Sequence, residues 1–264
     1  MTARVRDLDD VFADARVRKT PAVIPYVMAG DPDLETTRQI LLALSNAGAS
    51  AIELGVPYGD PLADGPTIAA AGMRALKNGT RIGDVLALAQ ELGQRCVPIV
   101  LFTYFNPVYR YGMARFADEA RAAGIAGAIV PDVALEESTE LRLALASRAI
   151  AMPLLVAPTT KHDRMERIAS ESTGFVYVVS RLGVTGAGSA PDFSPLLRQI
   201  AELRSLTQKP IAVGFGISTA DHVRAIRDKA DGVIVGSALL DAYAGTRGEE
   251  AAKRAATFLC GLEL

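Results

Sequence analysis

The sequence predicts an α/β protein built as a single (β/α)8 barrel, and three observations lead to this fold class. Short apolar runs bounded by Gly, Pro or Asp recur roughly every 20 to 30 residues, separated by stretches with helical periodicity. The eight runs are uniformly apolar, as in parallel strands that are covered on both faces. The length of 264 residues matches the ~250 residues of such a barrel. An open, doubly wound sheet is the alternative at this stage.

Each apolar run is short enough to be a strand. The predicted strands cover residues 22–28, 51–54, 98–103, 127–130, 152–157, 175–180, 210–214 and 232–236. Amphipathic periodicity predicts helices over 34–48, 82–94, 112–124 and 136–149, several of which end at a Gly. We expect an extra N-terminal helix over about 5–17, and extra helices in the units after strands two and eight, one of them following residue 66. No linker or shift in composition marks a boundary, so residues 1–264 are predicted to form one domain.

The composition excludes several classes of partner and compartment. Hydrophobic residues make up 50% of the chain and the net charge is -2, so we expect no binding to nucleic acid. Cys96 and Cys260 are too few for a disulfide framework, which fits a reducing compartment. The charged N-terminus lacks the apolar core of a secretory signal, and no apolar run approaches the ~20 residues of a membrane span. We therefore predict a cytoplasmic protein that does not enter membranes.

Three carboxylates lie close together in the segment IELGVPYGDPLADGP, residues 52–66. Glu53 comes at the end of strand two, where barrel enzymes carry their active sites. Its apolar neighbours should raise its pKa by desolvation, which suits proton transfer near neutrality, although a solvated rim position or an Arg partner would also explain it. Asp64 could return over the barrel mouth after the proline-stiffened turn. Turn formation explains Asp60 and Asp64 equally well from the sequence pattern.

Three later loops predict a phosphate site. Residues 181–189, 214–218 and 236–240 follow strands six, seven and eight, and each brings Gly and a hydroxyl to the same rim. Ser218 and Ser237 could each begin a short helix whose free N–H groups bind an anion. A single Gly-Ser pair is also an ordinary helix cap, but three such loops on consecutive strands favour phosphate.

Some chemistries lack the residues they need. A Schiff-base aldolase requires a desolvated Lys inside the barrel, and Lys161, the nearest candidate, is expected at the surface. His162 and His222 have no His or Cys partner at ligand spacing, so no transition-metal site is predicted, while Mg²⁺ held by carboxylates stays open. No dinucleotide fingerprint follows strand one. The residues therefore suggest acid-base chemistry by carboxylates on a phosphorylated small molecule.

Six segments together resemble the α subunits of tryptophan synthase, in the right order from residue 20 to about 240. They are YVMAGDP, ELGVPYGDPLADGPTI, PDVALEES, SRLGVTGAG, VGFGIS and GSALL. The resemblance implies a lyase that cleaves indole-3-glycerol phosphate to indole and glyceraldehyde 3-phosphate, without a cofactor in this subunit. Two alternatives stay open, namely a catalytically silent barrel that regulates a β subunit, and another phosphate-binding barrel enzyme such as a sugar-phosphate isomerase.

The resemblance also implies residue roles. Glu53 matches the general acid-base residue, Asp64 the carboxylate that accepts the indole N–H, and Thr185 the partner of Asp64 when the loop after strand six closes. Tyr26 and Phe102 match the indole pocket and Tyr177 a position near the glycerol, although core packing would also explain these aromatics. The full set of expected substrate-binding residues is Tyr26, Phe102, Tyr177, Thr185, Gly186, Gly214, Phe215, Gly216, Gly236 and Ser237.

The resemblance further implies a partner. Asp60, Pro61 and Asn106 match positions that contact the β subunit, a pyridoxal-phosphate enzyme that receives indole through a tunnel in an α2β2 heterotetramer. The sequence departs from the family at Gly59, where Ser is common, which leaves the strength of signalling to the partner open. Tyr26 and Tyr58 stand where Phe is common.

Overall fold

The computed structural model describes residues 7–180, 192–214 and 216–262. Eight parallel strands pair in the order β4-β3-β2-β1-β8-β7-β6-β5. The barrel closes between β4 and Ala151, which precedes β5. The Ala128 N–H donates to the Ala151 carbonyl at 2.8 Å, and the Ala151 N–H donates to the Ala126 carbonyl at 3.0 Å. The predicted (β/α)8 fold is thus confirmed. The strands are β1 (Ala22–Met28), β2 (Ile52–Gly55), β3 (Ile99–Phe102), β4 (Gly127–Ile129), β5 (Leu154–Val156), β6 (Val176–Val179), β7 (Ile211–Gly214) and β8 (Gly232–Val235).

Twelve α-helices surround the barrel within the described ranges, and the predicted extra helices are among them. The N-terminal helix is α1, the unit after β2 contains α3 and α4, and the unit after β8 contains α11 and α12. The helices are α1 (Leu8–Arg18), α2 (Leu34–Asn46), α3 (Pro66–Lys77), α4 (Ile82–Leu92), α5 (Phe105–Tyr111), α6 (Met113–Ala122), α7 (Thr139–Ala146), α8 (His162–Glu171), α9 (Ser194–Leu206), α10 (Ala220–Ile226), α11 (Ser237–Tyr243) and α12 (Gly248–Cys260).

The unit after β3 differs from the prediction because it holds two helices, α5 and α6, instead of one. Pro107 lies in the first turn of α5, where a missing N–H costs no helical hydrogen bond. Gly112, with φ of 92°, ends α5 and begins α6 in a conformation that favours glycine.

Helix α7 and strand β5 begin later in the structure than the sequence predicts. Helix α7 begins at Thr139 rather than 136, because the preceding residues form a turn in which the Ser138 hydroxyl donates to the Leu135 carbonyl. Strand β5 begins at Leu154 rather than 152. The Met152 N–H donates to the Thr173 hydroxyl and Pro153 has no N–H, so neither can extend the ladder there.

The two ends of the barrel are covered differently. Helix α1 lies across the N-terminal ends of the strands with Leu8, Val11, Phe12 and Ala15 buried, and the Phe12 and Phe175 rings pack with centroids 5.5 Å apart. The C-terminal ends carry the loops in which the candidate residues lie. In the part of the chain that the structure describes, no helix is both long and apolar enough to cross a membrane, and both cysteines are free thiols.

Candidate active site

Glu53 lies inside the barrel as the second of the four residues of β2, in register with Tyr26 of β1 and Val100 of β3. The residue is only 1% exposed. Its Oε2 atom has no hydrogen-bond partner among the described residues. Burial, reinforced by the negative charge of Asp64, raises the pKa of Glu53 to about 8. The carboxyl is therefore mostly protonated at neutral pH and can donate a proton to a molecule in the barrel mouth.

Asp64 lies on the loop between β2 and α3, and this loop folds back over the mouth of the barrel. The Asp64 N–H donates to the Pro61 carbonyl at 3.1 Å, which forms the return turn. Burial raises the pKa of Asp64 to about 6, while a hydrogen bond with the Tyr104 hydroxyl acts in the opposite direction. Glu53 and Asp64 line the same pocket. Their different environments leave one carboxyl mostly protonated and the other mostly ionised at neutral pH.

The walls of this pocket are mainly apolar. Tyr26, Phe102 and Tyr177 line it together with Ile68 and Ile234, and the Tyr26 and Phe102 rings meet edge to face with centroids 5.9 Å apart. Such walls suit a flat aromatic group and exclude water from the carboxyls.

Two glycines give the pocket tyrosines their room. A Cβ atom on Gly55 would lie 2.2 Å from the Tyr26 hydroxyl, and one on Gly214 would lie 2.1 Å from the Tyr177 hydroxyl. Gly214 is the last residue of β7, and the pocket lining includes Tyr177 but not Gly214 itself. Any side chain at either glycine would displace a tyrosine ring from the pocket wall.

The polar end of the pocket is formed by the loops after β7 and β8. Gly216, Ile217 and Ser218 come from the first loop, Gly236 follows β8, and Ser237 and Ala238 begin α11. Gly216 has φ of 85°, so its backbone conformation favours glycine. His222 of α10 braces this turn, with its Nδ1 3.1 Å from the Gly216 carbonyl oxygen. Backbone N–H groups and two hydroxyls are therefore gathered where an anionic group can bind.

Carboxyls with separated pKa values, aromatic walls and a polar rim characterise this pocket, and the sequence places it in a known group of enzymes. A sequence model described as "Tryptophan synthase alpha chain" matches residues 12–263. The chain belongs to the tryptophan synthase alpha chain family. The catalytic α reaction, which cleaves indole-3-glycerol phosphate to indole and glyceraldehyde 3-phosphate, is the lyase function of this family.

Individual relatives support the same assignment to the tryptophan synthase alpha chains. A chain of that description from Synechococcus elongatus is 52% identical over 236 residues, covering 89% of this chain and 88% of the relative. One from Rippkaea orientalis is 46% identical and covers 95% and 94% of the two chains. Among solved structures, tryptophan synthase from M. tuberculosis in an aminoacrylate-bound form aligns with a TM-score of 0.86 and 32% identity, covering 97% and 98%. The alpha chain from Legionella pneumophila aligns with a TM-score of 0.86 and 29% identity, covering 97% and 95%.

The residues suggested by the likeness to tryptophan synthase alpha chains do not all lie in the pocket. Asp60 and Asn106 are exposed and Pro61 is partly exposed, and these three are not among the lining residues. The Asn106 side-chain amide donates to the Tyr58 hydroxyl at 3.4 Å. Thr185, Gly186 and Phe215 lie outside the described residues. No group of three His, Cys, Asp or Glu gathers to hold a metal within the described ranges.

Tyr104 is a polar side chain of the site that was not predicted from the sequence. It is the second residue after β3 and is buried, and its hydroxyl contacts the loop that carries Asp64. Its position just beyond a strand end was the available signal, because the C-terminal rim is where barrel enzymes place functional groups.

Proposed function

We propose that this chain carries out the α reaction of its family with Glu53 as the general acid-base residue and Asp64 as the stabilising carboxylate. The observation that carries the proposal is one pocket lined by two carboxyls whose pKa values are about 8 and about 6. At neutral pH Glu53 can donate a proton, and the carboxylate of Asp64 can stabilise a positive charge on the substrate. These are the two tasks that a retro-aldol cleavage of an indole derivative requires.

The proton transfers balance over the reaction. Protonated Glu53 donates its proton to the ring carbon that bears the glycerol chain, and positive charge develops on the ring nitrogen. Ionised Asp64 accepts a hydrogen bond from the ring N–H and stabilises that charge. The Glu53 carboxylate then removes the proton from the adjacent glycerol hydroxyl, which becomes the aldehyde oxygen. The carbon-carbon bond breaks, its electron pair restores the neutral indole, and Glu53 is protonated again.

The rest of the pocket supports substrate binding in this proposal. Tyr26 and Phe102 hold the indole ring and Tyr177 lies beside the glycerol. Gly216, Gly236 and Ser237, with the neighbouring Ser218, offer N–H and hydroxyl donors to the phosphate, and Gly214 seats Tyr177 beside them. The proposed set also includes Thr185, Gly186 and Phe215. No cofactor takes part in this scheme, because the protonated indole ring is itself the electron sink.

The proposal includes a partner. Asp60 and Asn106 are exposed and Pro61 is partly exposed, and we assign these three residues to contact with a tryptophan synthase β subunit in an α2β2 heterotetramer. That subunit would contain the pyridoxal phosphate and consume the indole to make L-tryptophan. A similar solved structure is a tryptophan synthase in an aminoacrylate-bound form. We place the assembly in the cytoplasm and treat residues 1–264 as one domain.

The test is steady-state release of indole from indole-3-glycerol phosphate, with and without a β subunit. Glu53→Gln should reduce kcat by several orders of magnitude with a small change in KM, because the phosphate contacts are kept. Asp64→Asn should also reduce kcat strongly. The control is Glu137→Gln, which removes an exposed carboxylate on the loop after β4 and should leave turnover unchanged.

Three results would contradict the proposal. Turnover by Glu53→Gln close to that of the wild type would remove the catalytic assignment. An inactive wild-type chain that still binds and stimulates a β subunit would indicate a silent regulatory barrel, and isomerisation of a sugar phosphate without indole release would indicate another phosphate-binding enzyme.

A further inference from the structure

The Tyr104 hydroxyl lies between two groups of the loop after β2. The N–H of Ala63 donates to this hydroxyl oxygen at 3.1 Å, and the same hydroxyl interacts with the neighbouring Asp64 carboxylate, which lowers the pKa of Asp64. An amide N–H can only donate, so the hydroxyl oxygen must accept from Ala63. The single hydroxyl proton is then left available to the Asp64 carboxylate. The contact with Ala63 fixes the position of the hydroxyl next to Asp64.

The ring of Tyr104 is held as firmly as its hydroxyl. The side chain is 2% exposed, and its ring packs against Tyr58 with centroids 5.1 Å apart and against the edge of Phe102 at 6.2 Å. Tyr104 follows β3, whereas Asp64 and Ala63 belong to the unit after β2. The hydroxyl therefore links the loop of Asp64 to the segment that follows the neighbouring strand β3.

We propose that Tyr104 is a positioning residue for the reaction, which holds the Asp64 carboxylate ionised and aimed into the pocket. The inference rests on the proposed role of Asp64. A flexible loop carboxylate would lose conformational freedom each time it accepted the ring N–H, and a fixed donor from the next strand removes that loss before substrate binds. The hydrogen bond also favours the charged form of Asp64, which is the form that accepts the N–H.

The other ionisable groups around this contact do not replace the hydroxyl. Glu53 and Asp64 both raise the pKa of the buried hydroxyls of Tyr26 and Tyr177, and Asp132 raises the pKa of Tyr104. The carboxyls in this set are sources of negative charge and the tyrosines are neutral. Among these groups the Tyr104 hydroxyl is the one whose hydrogen bond lowers the pKa of Asp64. Its removal should therefore raise the pKa of Asp64 further.

Tyr104→Phe is the direct test, because Phe keeps the ring between Tyr58 and Phe102 and deletes only the hydroxyl. We expect kcat to fall about 10-fold or more at neutral pH with little change in KM, since a hydrogen bond to a charged group is lost. The acid limb of the kcat/KM profile should move upward by ~1 pH unit. Tyr58→Phe is the matched control, because it removes a hydroxyl from the adjacent ring and should change neither kcat nor the acid limb.

A double variant separates positioning from a merely structural role. If Tyr104 acts through Asp64, adding Tyr104→Phe to Asp64→Asn should reduce kcat by far less than the ~10-fold expected in the wild-type background. An undiminished effect in the Asp64→Asn background would overturn the proposal, and so would an acid limb that Tyr104→Phe does not move.

Two measurements without substrate keep this inference distinct from the proposed reaction. The carboxyl ¹³C resonance of Asp64 should titrate at higher pH in Tyr104→Phe than in the wild type, whether or not the chain cleaves indole-3-glycerol phosphate. In the wild type the Tyr104 hydroxyl proton should show a nuclear Overhauser contact with the Ala63 amide proton, which needs no variant to fold. An unchanged titration, or the lack of that contact, would overturn the inference, whereas an inactive wild type with both results present would overturn only the proposed reaction.

Discussion

The same eight strands end in two chemically opposite surfaces. At their N-terminal ends, α1 packs Leu8 and Phe12 onto strand starts where glycines leave room, so that a Cβ atom on Gly232 would lie 3.0 Å from the Phe12 ring. At their C-terminal ends, the strands surround the buried carboxyl of Glu53, whose Oε2 has no partner among the described residues. One end is closed by apolar packing, whereas the other leaves a polar group incompletely satisfied.

This difference shows how a barrel can contain a destabilising site. Burial of a carboxyl without full hydrogen bonding costs free energy, and here it keeps Glu53 protonated well above its ordinary pKa. Apolar burial at the opposite end offsets that cost without touching the site. Variants at the closed end should therefore change stability alone, whereas variants at the open end should change activity and its pH dependence.

The largest effect on folding is expected from Phe12→Ala. The substitution removes a fully buried ring and its contact with Phe175, and should lower the free energy of unfolding by ~3–5 kcal/mol. Chemical denaturation measures this loss. Val17→Ala, at a position that is 84% exposed on the same helix, is the control. A reduced kcat in folded Phe12→Ala protein would contradict the separation of the two ends.

Glu53→Gln should produce the next largest effect, a gain in stability that depends on pH. The folded-state pKa of Glu53 lies above its ordinary value of 4.5, at about 8, so folding favours the protonated form. The stability that the protonated carboxyl contributes is present at low pH and is lost as pH rises through about 8. Gln does not titrate and escapes this loss.

Denaturation at about pH 5 and about pH 8.5 measures this effect. Each pKa unit corresponds to about 1.4 kcal/mol, and water that enters the pocket with the carboxylate reduces the total effect. Between the two pH values, the free energy of unfolding of Glu53→Gln should therefore rise by ~3 kcal/mol relative to that of the wild type. A difference that stays constant with pH would show that Glu53 has an ordinary pKa. Glu137→Gln is the matched control for loss of a carboxylate on this rim.

A third prediction concerns activity at the open end. Cleavage requires ionised Asp64 and protonated Glu53, whose pKa values are about 6 and about 8, so kcat/KM should be bell-shaped between these limits. It should fall ~10-fold for each pH unit beyond either limit. Measurement across this range, with stability followed in parallel, checks it. Activity that keeps rising above about pH 8 would show that Glu53 is not needed as an acid.

The smallest effect is expected from the cap of α1. Asp7 accepts a hydrogen bond from the Asp10 N–H at 3.0 Å as part of a capping box, so Asp7→Ala should lower stability by about 1 kcal/mol. Thermal unfolding measures the change. Activity should be unaltered, because this cap lies at the closed end of the barrel. A change in kcat with intact folding would show that the closed end of the barrel influences the active site, contrary to this prediction.

Local sequence patterns predicted the elements better than their edges. The apolar runs identified all eight strands because burial on both faces leaves no polar alternation to confuse the pattern. Helix α5, which has seven residues, is too short to show a clear helical periodicity and was not predicted. Glu53 could be singled out because a carboxyl at the end of a predicted apolar strand is unusual by itself. Asp60 and Asp64 could not, because turn formation explained both of them equally well.

The sequence by itself determined the alternation of strands and helices, the apolar surroundings of Glu53 and the Gly-rich loops of the rim, because these depend on neighbours along the chain. Only the tertiary structure decided that Asp64 turns into the pocket while Asp60 faces outward, and that Tyr104 bonds to the loop of Asp64. Those relations join residues from different strand-helix units. They depend on how far a loop folds back over the barrel, which closure of the sheet sets and local propensity does not.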